Sequence, residues 1–189
     1  MKRTIVILGA ALLLCGISAQ AHRPAASGTG QADTLTKEEL MREAIRLSEQ
    51  NVDAGGGPFG AVIARNGRII ATGTNRVTPD CDPTAHAEVS AIRAAAKALG
   101  TFDLSGCEIY TSCEPCPMCL GAIYWARLDR MYYGNDKHDA AGIGFDDAFI
   151  YEEIALDPAD RKLKSALLLP EEAIKAFEAW EAKTDKVEY

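Results

Sequence analysis

Apolar residues recur at helical spacing through Leu40, Met41, Ala44, Ile45 and Leu47, directly after Thr36-Lys-Glu-Glu39. A threonine with a glutamate three positions on is a capping box, so the pattern predicts a helix from residue 36 to about 52, ended by the glycines Gly55 to Gly57. The period then changes. Residues 59–64 and 68–72 are β-prone runs on either side of Asn66-Gly67, a pair that accepts positive φ and predicts a hairpin with a type I′ turn. Residues 75–83, rich in Asn, Thr, Asp and Pro, predict a loop. The alanine-rich stretch 85–99, closed by Gly100, predicts a helix. A short buried strand is expected at 107–111, a helix at 118–127 and another strand at 130–133. In the tail the pattern predicts a loop entering a short helix at 142–154, a last strand at 163–168 and a helix at 171–182. The order helix, hairpin, helix, strand, helix, strand demands a mixed central sheet with helices on both faces, an α/β protein of three layers, α/β/α.

The first segment stands outside this fold. Lys2 and Arg3 precede an apolar run from Ile5 to about Ile17, too short to span a bilayer and followed by Ala19-Gln-Ala21, an A-x-A cleavage pattern. Residues 1–21 are therefore expected to be a secretory signal peptide cut after Ala21, which implies an exported, periplasmic protein with no membrane span. A retained anchor and a lipid on Cys15 are the alternatives; bulky Leu14 disfavours the lipid. If the leader is instead misread, the protein is cytoplasmic. Residues 22–35, rich in Ala, Ser, Gly and Thr, read as a flexible tether, and the folded domain as 36–189.

Charge and cysteine count narrow the chemistry. The formal net charge of the chain is -7, and loss of Lys2 and Arg3 with the leader takes it to about -9. A body this acidic, with its basic residues scattered among acids, argues against a large nucleic-acid partner, because phosphate backbones are held by clustered Lys and Arg. Beyond the leader stand Cys81, Cys107, Cys113, Cys116 and Cys119, an odd number with three inside seven residues. That is poor disulfide arithmetic and good metal-ligand arithmetic.

His86-Ala-Glu88 and, some thirty residues later, Pro115-Cys116-Pro-Met-Cys119 form the H-x-E and P-C-x-x-C pair of zinc deaminases. His86 falls in the first turn of one expected helix, and Cys116 with Cys119 opens another, so two helix N-termini can converge on one ion, where the helix dipole favours thiolate. Three protein ligands leave a fourth tetrahedral position for water, which marks a catalytic rather than a structural Zn2+. Glu88 then stands beside that water as a proton shuttle. Taken singly, a histidine at a helix start is a capping or packing residue and a glutamate in a first turn serves the dipole; it is the joint pattern that speaks for chemistry. Cys113-x-x-Cys116-x-x-Cys119 also looks like the start of an iron-sulfur ligand run, but a fourth cysteine nearby is missing. Cys113 and Cys107 read as small buried residues. Cys81 precedes the histidine helix, where lining a site and simple exposure are both open.

Pro58-Phe-Gly-Ala-Val, Asp82-Pro-Thr-Ala-His-Ala-Glu88 and Thr111-Ser-Cys-Glu-Pro-Cys-Pro-Met-Cys-Leu-Gly-Ala-Ile-Tyr-Trp125 carry a likeness to the cytidine deaminase-like superfamily. Within it the chain most closely resembles the bacterial guanine deaminases, from about Glu39 to Tyr189. The resemblance implies the cytidine deaminase-like fold, a free purine base as substrate and a domain-swapped homodimer whose C-terminal segment closes over the partner's active site. It also implies roles: Asp147 in proton transfer beside the purine, Asn75 as an anchor of the base, the backbone around Ala87 against the ring, and Tyr189 in the neighbouring pocket. On the residues alone, Asp146 and Asp147 can cap a helix and Asn75 can shape a turn. Two rival classes stay in view: a deaminase of cytosine, another aminopurine or tRNA adenosine, and a zinc-binding module without catalysis, in which Glu88 would have no reason to accompany an open metal site.

Overall fold

The computed structural model describes residues 34–189, so the leader and nearly all of the tether lie outside it. Helix α1 (Lys37–Asp53) starts at the expected capping box, with the Thr36 hydroxyl accepting from the Glu39 N–H at 3.2 Å and the Glu39 carboxylate accepting from the Thr36 N–H at 2.8 Å. Its buried stripe, Leu40, Ala44, Ser48 and Asn51, is apolar at first and polar at its end. Strands β1 (Gly60–Arg65) and β2 (Arg68–Thr74) pair antiparallel around Asn66-Gly67, with φ 52° and 72° at those two residues, as a type I′ turn requires.

The remaining elements are α2 (Val77–Asp80), α3 (Ala87–Leu99), β3 (Glu108–Cys113), α4 (Pro117–Trp125), β4 (Arg130–Asn135), α5 (Lys137–Gly142), α6 (Ala148–Ala155) and α7 (Pro170–Ala182). The sheet runs β2-β1-β3-β4, antiparallel except for the parallel β3–β4 pair. It is the mixed sheet expected, with helices on both faces.

The alternation along β1 decides what each face holds. Ala61 and Ile63 turn toward Ala87, Ala91 and Ala95 of α3 and Ile123 of α4, while Val62 and Ala64 turn toward Leu40 and Ala44 of α1. With both faces covered, β1 reads as a continuous apolar run. The alanines at every fourth position of α3 let it lie very close to β2, and the backbone meets there at Gly73. A Cβ on Gly73 would stand 2.2 Å from the Ala87 carbonyl oxygen and 2.5 Å from the Ala91 nitrogen.

Three expectations need correction. The segment read as a loop at 75–83 contains the single turn α2, and α5 was not foreseen; both are too short for a periodic signal. Residues 163–168 form no strand. A strand exists only with a ladder partner, and Leu163, Leu167 and Leu168 lie more than four-fifths exposed with none. No helix among the described residues is long and apolar enough to cross a membrane.

Candidate active site

Two helix starts make the metal centre. His86 is the N-cap of α3 and Cys116 the N-cap of α4, both in extended backbone, and Pro117 presets the first turn of α4 so that Cys119 follows on the same side. The His86 Nδ1 lies 3.5 Å from the Sγ of Cys116 and 3.5 Å from that of Cys119. All three ligand atoms fall within 4.8 Å of one another. Zinc at about 2.3 Å from sulfur and about 2.0 Å from nitrogen separates tetrahedral donors by roughly 3.5 Å, so this set fits the ion. The thiol of Cys119 and the imidazole of His86 pull the Cys116 thiol down to about 4, while the hydrogen bond to Cys116 and burial push the Cys119 thiol up, so one thiol of the pair is ionised and the other keeps a proton that metal binding would release. Cys113 stays out of the centre; its thiol points at the Asp136 carbonyl at 3.6 Å, and burial pushes it up to about 11. Cys107 is wholly buried in the core and Cys81 is exposed.

Glu88 sits in the first turn of α3, 5% exposed. Its Oε1 accepts from the Thr111 hydroxyl at 3.2 Å, and its Oε2 accepts from the Cys119 thiol at 3.3 Å. Burial raises its pKa above the ordinary carboxylate value, which suits a group that must both take and give a proton. Thr111 escaped the sequence reading, although a hydroxyl in a strand buried on both faces is the signal for such a role.

A cavity of about 410 Å³ opens beside these groups, lined among others by Phe59, Asn75, His86, Glu88, Cys116 and Asp147. Asn75 directly follows β2; its Oδ1 accepts from the Val77 N–H at 3.3 Å, leaving its amide NH2 as a donor for a ligand. Behind it stands Asn51, a second residue the sequence reading missed. The Asn51 Nδ2 donates to the carbonyls of Asn75 and of Gly57, each at 2.7 Å, and so ties the end of α1 to two segments of the cavity wall. On the other side Asp147 precedes α6. The capping bond there is made by Asp146, whose Oδ1 accepts from the Ala148 N–H at 3.0 Å, and Asp147 makes no cap bond. Its carboxyl is raised by burial and by the neighbouring Cys116 charge. Phe145, in the same loop, meets Phe59 edge to face at 4.9 Å.

Five of the expected residues thus line one cavity: His86, Cys116, Glu88, Asn75 and Asp147. Cys119 lies buried behind it, and Ala87 is buried between two lining residues, against β2. Tyr189 is elsewhere, 6.3 Å from the ring of Phe102 and 6.1 Å from that of Trp125. A wider groove of about 610 Å³ between α1 and β4, lined by Lys37, Met41 and Tyr132, holds none of these groups.

Similarity to known proteins follows the same outline. The chain is 50% identical over 156 residues to guanine deaminase of Bacillus subtilis, covering 82% of this chain and all of that one. The crystal structure of guanine deaminase from Bacillus subtilis superposes with a TM-score of 0.80, covering 82% of this chain and 99% of the other. The tRNA-specific adenosine deaminase of Bacillus subtilis is 42% identical over 101 residues, 53% of this chain and 63% of that protein. Residues 35–135 match the cytidine and deoxycytidylate deaminase zinc-binding region. With that match spanning more than half of its length, over the elements that carry His86, Glu88, Cys116 and Cys119, the chain belongs to the zinc-dependent cytidine and deoxycytidylate deaminase family.

Proposed function

We propose that this protein deaminates free guanine, converting guanine and water to xanthine and ammonia. The observation that carries the reading is the second carboxylate: Asp147, excused from capping by Asp146, lines the same cavity as Glu88. The half-identical guanine deaminase of Bacillus subtilis, matched along its whole length, supports the same choice over the partly matched tRNA deaminases. So does the acidic chain, which lacks the clustered basic residues that an RNA substrate requires.

His86, Cys116 and Cys119 would hold a zinc ion, which would supply the Lewis acid that makes water a nucleophile near neutral pH. Glu88 takes one proton from the attacking water and passes it to N3, then takes the second from the hydroxyl now on C2 and passes it to the departing amine. The C2–O bond forms first, with the N3=C2 electron pair moving to N3; the bond from C2 to the exocyclic amine then breaks with its electron pair on nitrogen, the C2=O double bond forms and ammonia leaves. Asn75 orients the base by its side-chain amide, and the backbone around Ala87 flanks the ring. Asp147 handles the proton on N1 from the far side. The test is ammonia release from a panel of guanine, cytosine, adenine, nucleosides and tRNA. Guanine as the preferred substrate supports the reading; release from cytosine or tRNA adenosine but not from guanine overturns it.

The working unit we propose is a domain-swapped homodimer in which the tail of one copy, ending at Tyr189, closes the partner's pocket. Tyr189 is not among the residues that line the site cavity of its own chain, and Leu167 and Phe177 are left 85% and 73% exposed, surface that a second copy would cover. Light scattering should give twice the monomer mass, and removing the last few residues should impair turnover while leaving zinc and dimer intact. We further propose export with cleavage after Ala21, so that the purified periplasmic protein begins at His22; intact-mass measurement reads this directly.

A further inference from the structure

Helix α6 buries none of its residues, and Phe149, Ile150 and Ile154 are 42–60% exposed. No packed apolar face therefore sets where this helix sits, yet Asp147 stands at its first turn and lines the pocket. Something else must register the helix against the zinc ligands. Tyr151 is one turn on from Asp147, its N–H donating to the Asp147 carbonyl at 3.3 Å, so the two side chains share a face of the helix. The Tyr151 hydroxyl donates to the carbonyl of Pro115 at 3.2 Å. Pro115 immediately precedes the ligand Cys116.

The seam around this bond is built as well. The Lys137 ammonium lies 5.4 Å from the centre of the Tyr151 ring, and the Lys137 N–H donates to the Glu114 carboxylate at 3.1 Å. Glu114 in turn donates its own N–H to the Asn135 carbonyl at 2.9 Å. Tyr151 thus touches both strand-end segments next to the metal, the one at the end of β3 and the one after β4. Burial, with Asp147 and Glu114 nearby, pushes the phenol above its ordinary value, so it keeps the proton it donates.

We infer that Tyr151 is a positioning residue: its hydroxyl latches α6 to the Pro115 carbonyl and thereby holds Asp147 at its working distance from the groups held by Cys116. This rests on the proton-transfer role proposed for Asp147. It goes beyond that role in naming what makes an exposed helix precise. The consequence is kinetic, because displacement of a proton-handling group by a fraction of an ångström slows chemistry more than it weakens binding.

Tyr151→Phe keeps the ring against Lys137 and removes only the latch. It should lower kcat for guanine by about 10-fold with KM changed less than about 2-fold, zinc content at one per chain and Tm unaltered. The deciding measurement is a double-mutant cycle with Asp147→Ala, on the full-length zinc enzyme. Tyr151→Phe should cost nothing further once Asp147 is gone, a coupling that a merely structural hydroxyl does not produce. Equal losses in both backgrounds, or wild-type kcat in the single Tyr151→Phe variant, overturn the latch while leaving Asp147 in place. An Asp147→Ala variant with full activity overturns the parent reading instead, and the latch with it.

Discussion

The wall of the pocket that carries Asn75 and the wall that carries Asp147 face one another, and they are held in unlike ways. Asn75 lies 6% exposed just after the β1–β2 hairpin, with its N–H on the Phe59 carbonyl at 3.1 Å and its own carbonyl on Asn51. These bonds are buried, so breaking one leaves a polar group dry and unpaired. Asp147 starts a helix with no buried residue, held by the Phe145–Phe59 ring contact, one phenol hydrogen bond and the Lys137 ammonium over the Tyr151 ring. Few buried apolar contacts mean local opening at low cost. In the reaction proposed above, the first wall is the scaffold that would recognise the base and the second the less firmly held part that would handle protons.

Destroying the frame that both walls share gives the largest effect. Cys119→Ser should abolish ammonia release, lose the zinc measured by elemental analysis and lower Tm, since metal binding stabilises the fold that holds it. Next comes the group between the walls: Glu88→Gln should keep zinc and fold but cut kcat by at least ~100-fold, read in steady-state assays. The walls themselves then separate. Asp147→Ala should lower kcat by roughly 10-fold or more at unchanged Tm, as loss of a general acid-base step from an exposed helix does. Asn51→Ala should do the opposite, costing about 1–3 kcal/mol in denaturant unfolding and raising KM more than it lowers kcat. A normal Tm for Asn51→Ala beside a lowered one for Asp147→Ala would reverse the assignment of scaffold and less firmly held part.

The scaffold side was legible in sequence because each of its elements states itself locally: Thr36 to Glu39 as a cap, Asn66-Gly67 as a turn, and His86-x-Glu88 with Cys116-x-x-Cys119 as two helix starts. What could not be read was anything made by two distant segments. Thr111 and Glu88 meet across strand and helix, Asn51 reaches Asn75 over 24 positions, and Tyr151 finds a carbonyl 36 residues earlier. Neither Asn51 nor Tyr151 carries a motif, for a hydrogen bond to backbone demands only a donor in the right place; Thr111 opens the cysteine motif, but nothing local there names Glu88 as its partner. The leucines at 163–168 failed for the converse reason: their composition asks for a strand, but a strand is a relation between segments and none is paired with them in the single chain.

Gly73 has no side chain, no charge and no part in proton transfer, and yet heredity should guard it as closely as it guards a ligand. The first turn of α3 rests directly on its Cα, with the Ala87 carbonyl where a methyl group would have to go. Any inherited substitution there must lift the start of α3, and His86 and Glu88 ride on that start. In a saturation scan selected on guanine as sole nitrogen source, every replacement at Gly73 should therefore be lost, alanine included. At the neighbouring Thr72, exposed on the same strand, many should survive.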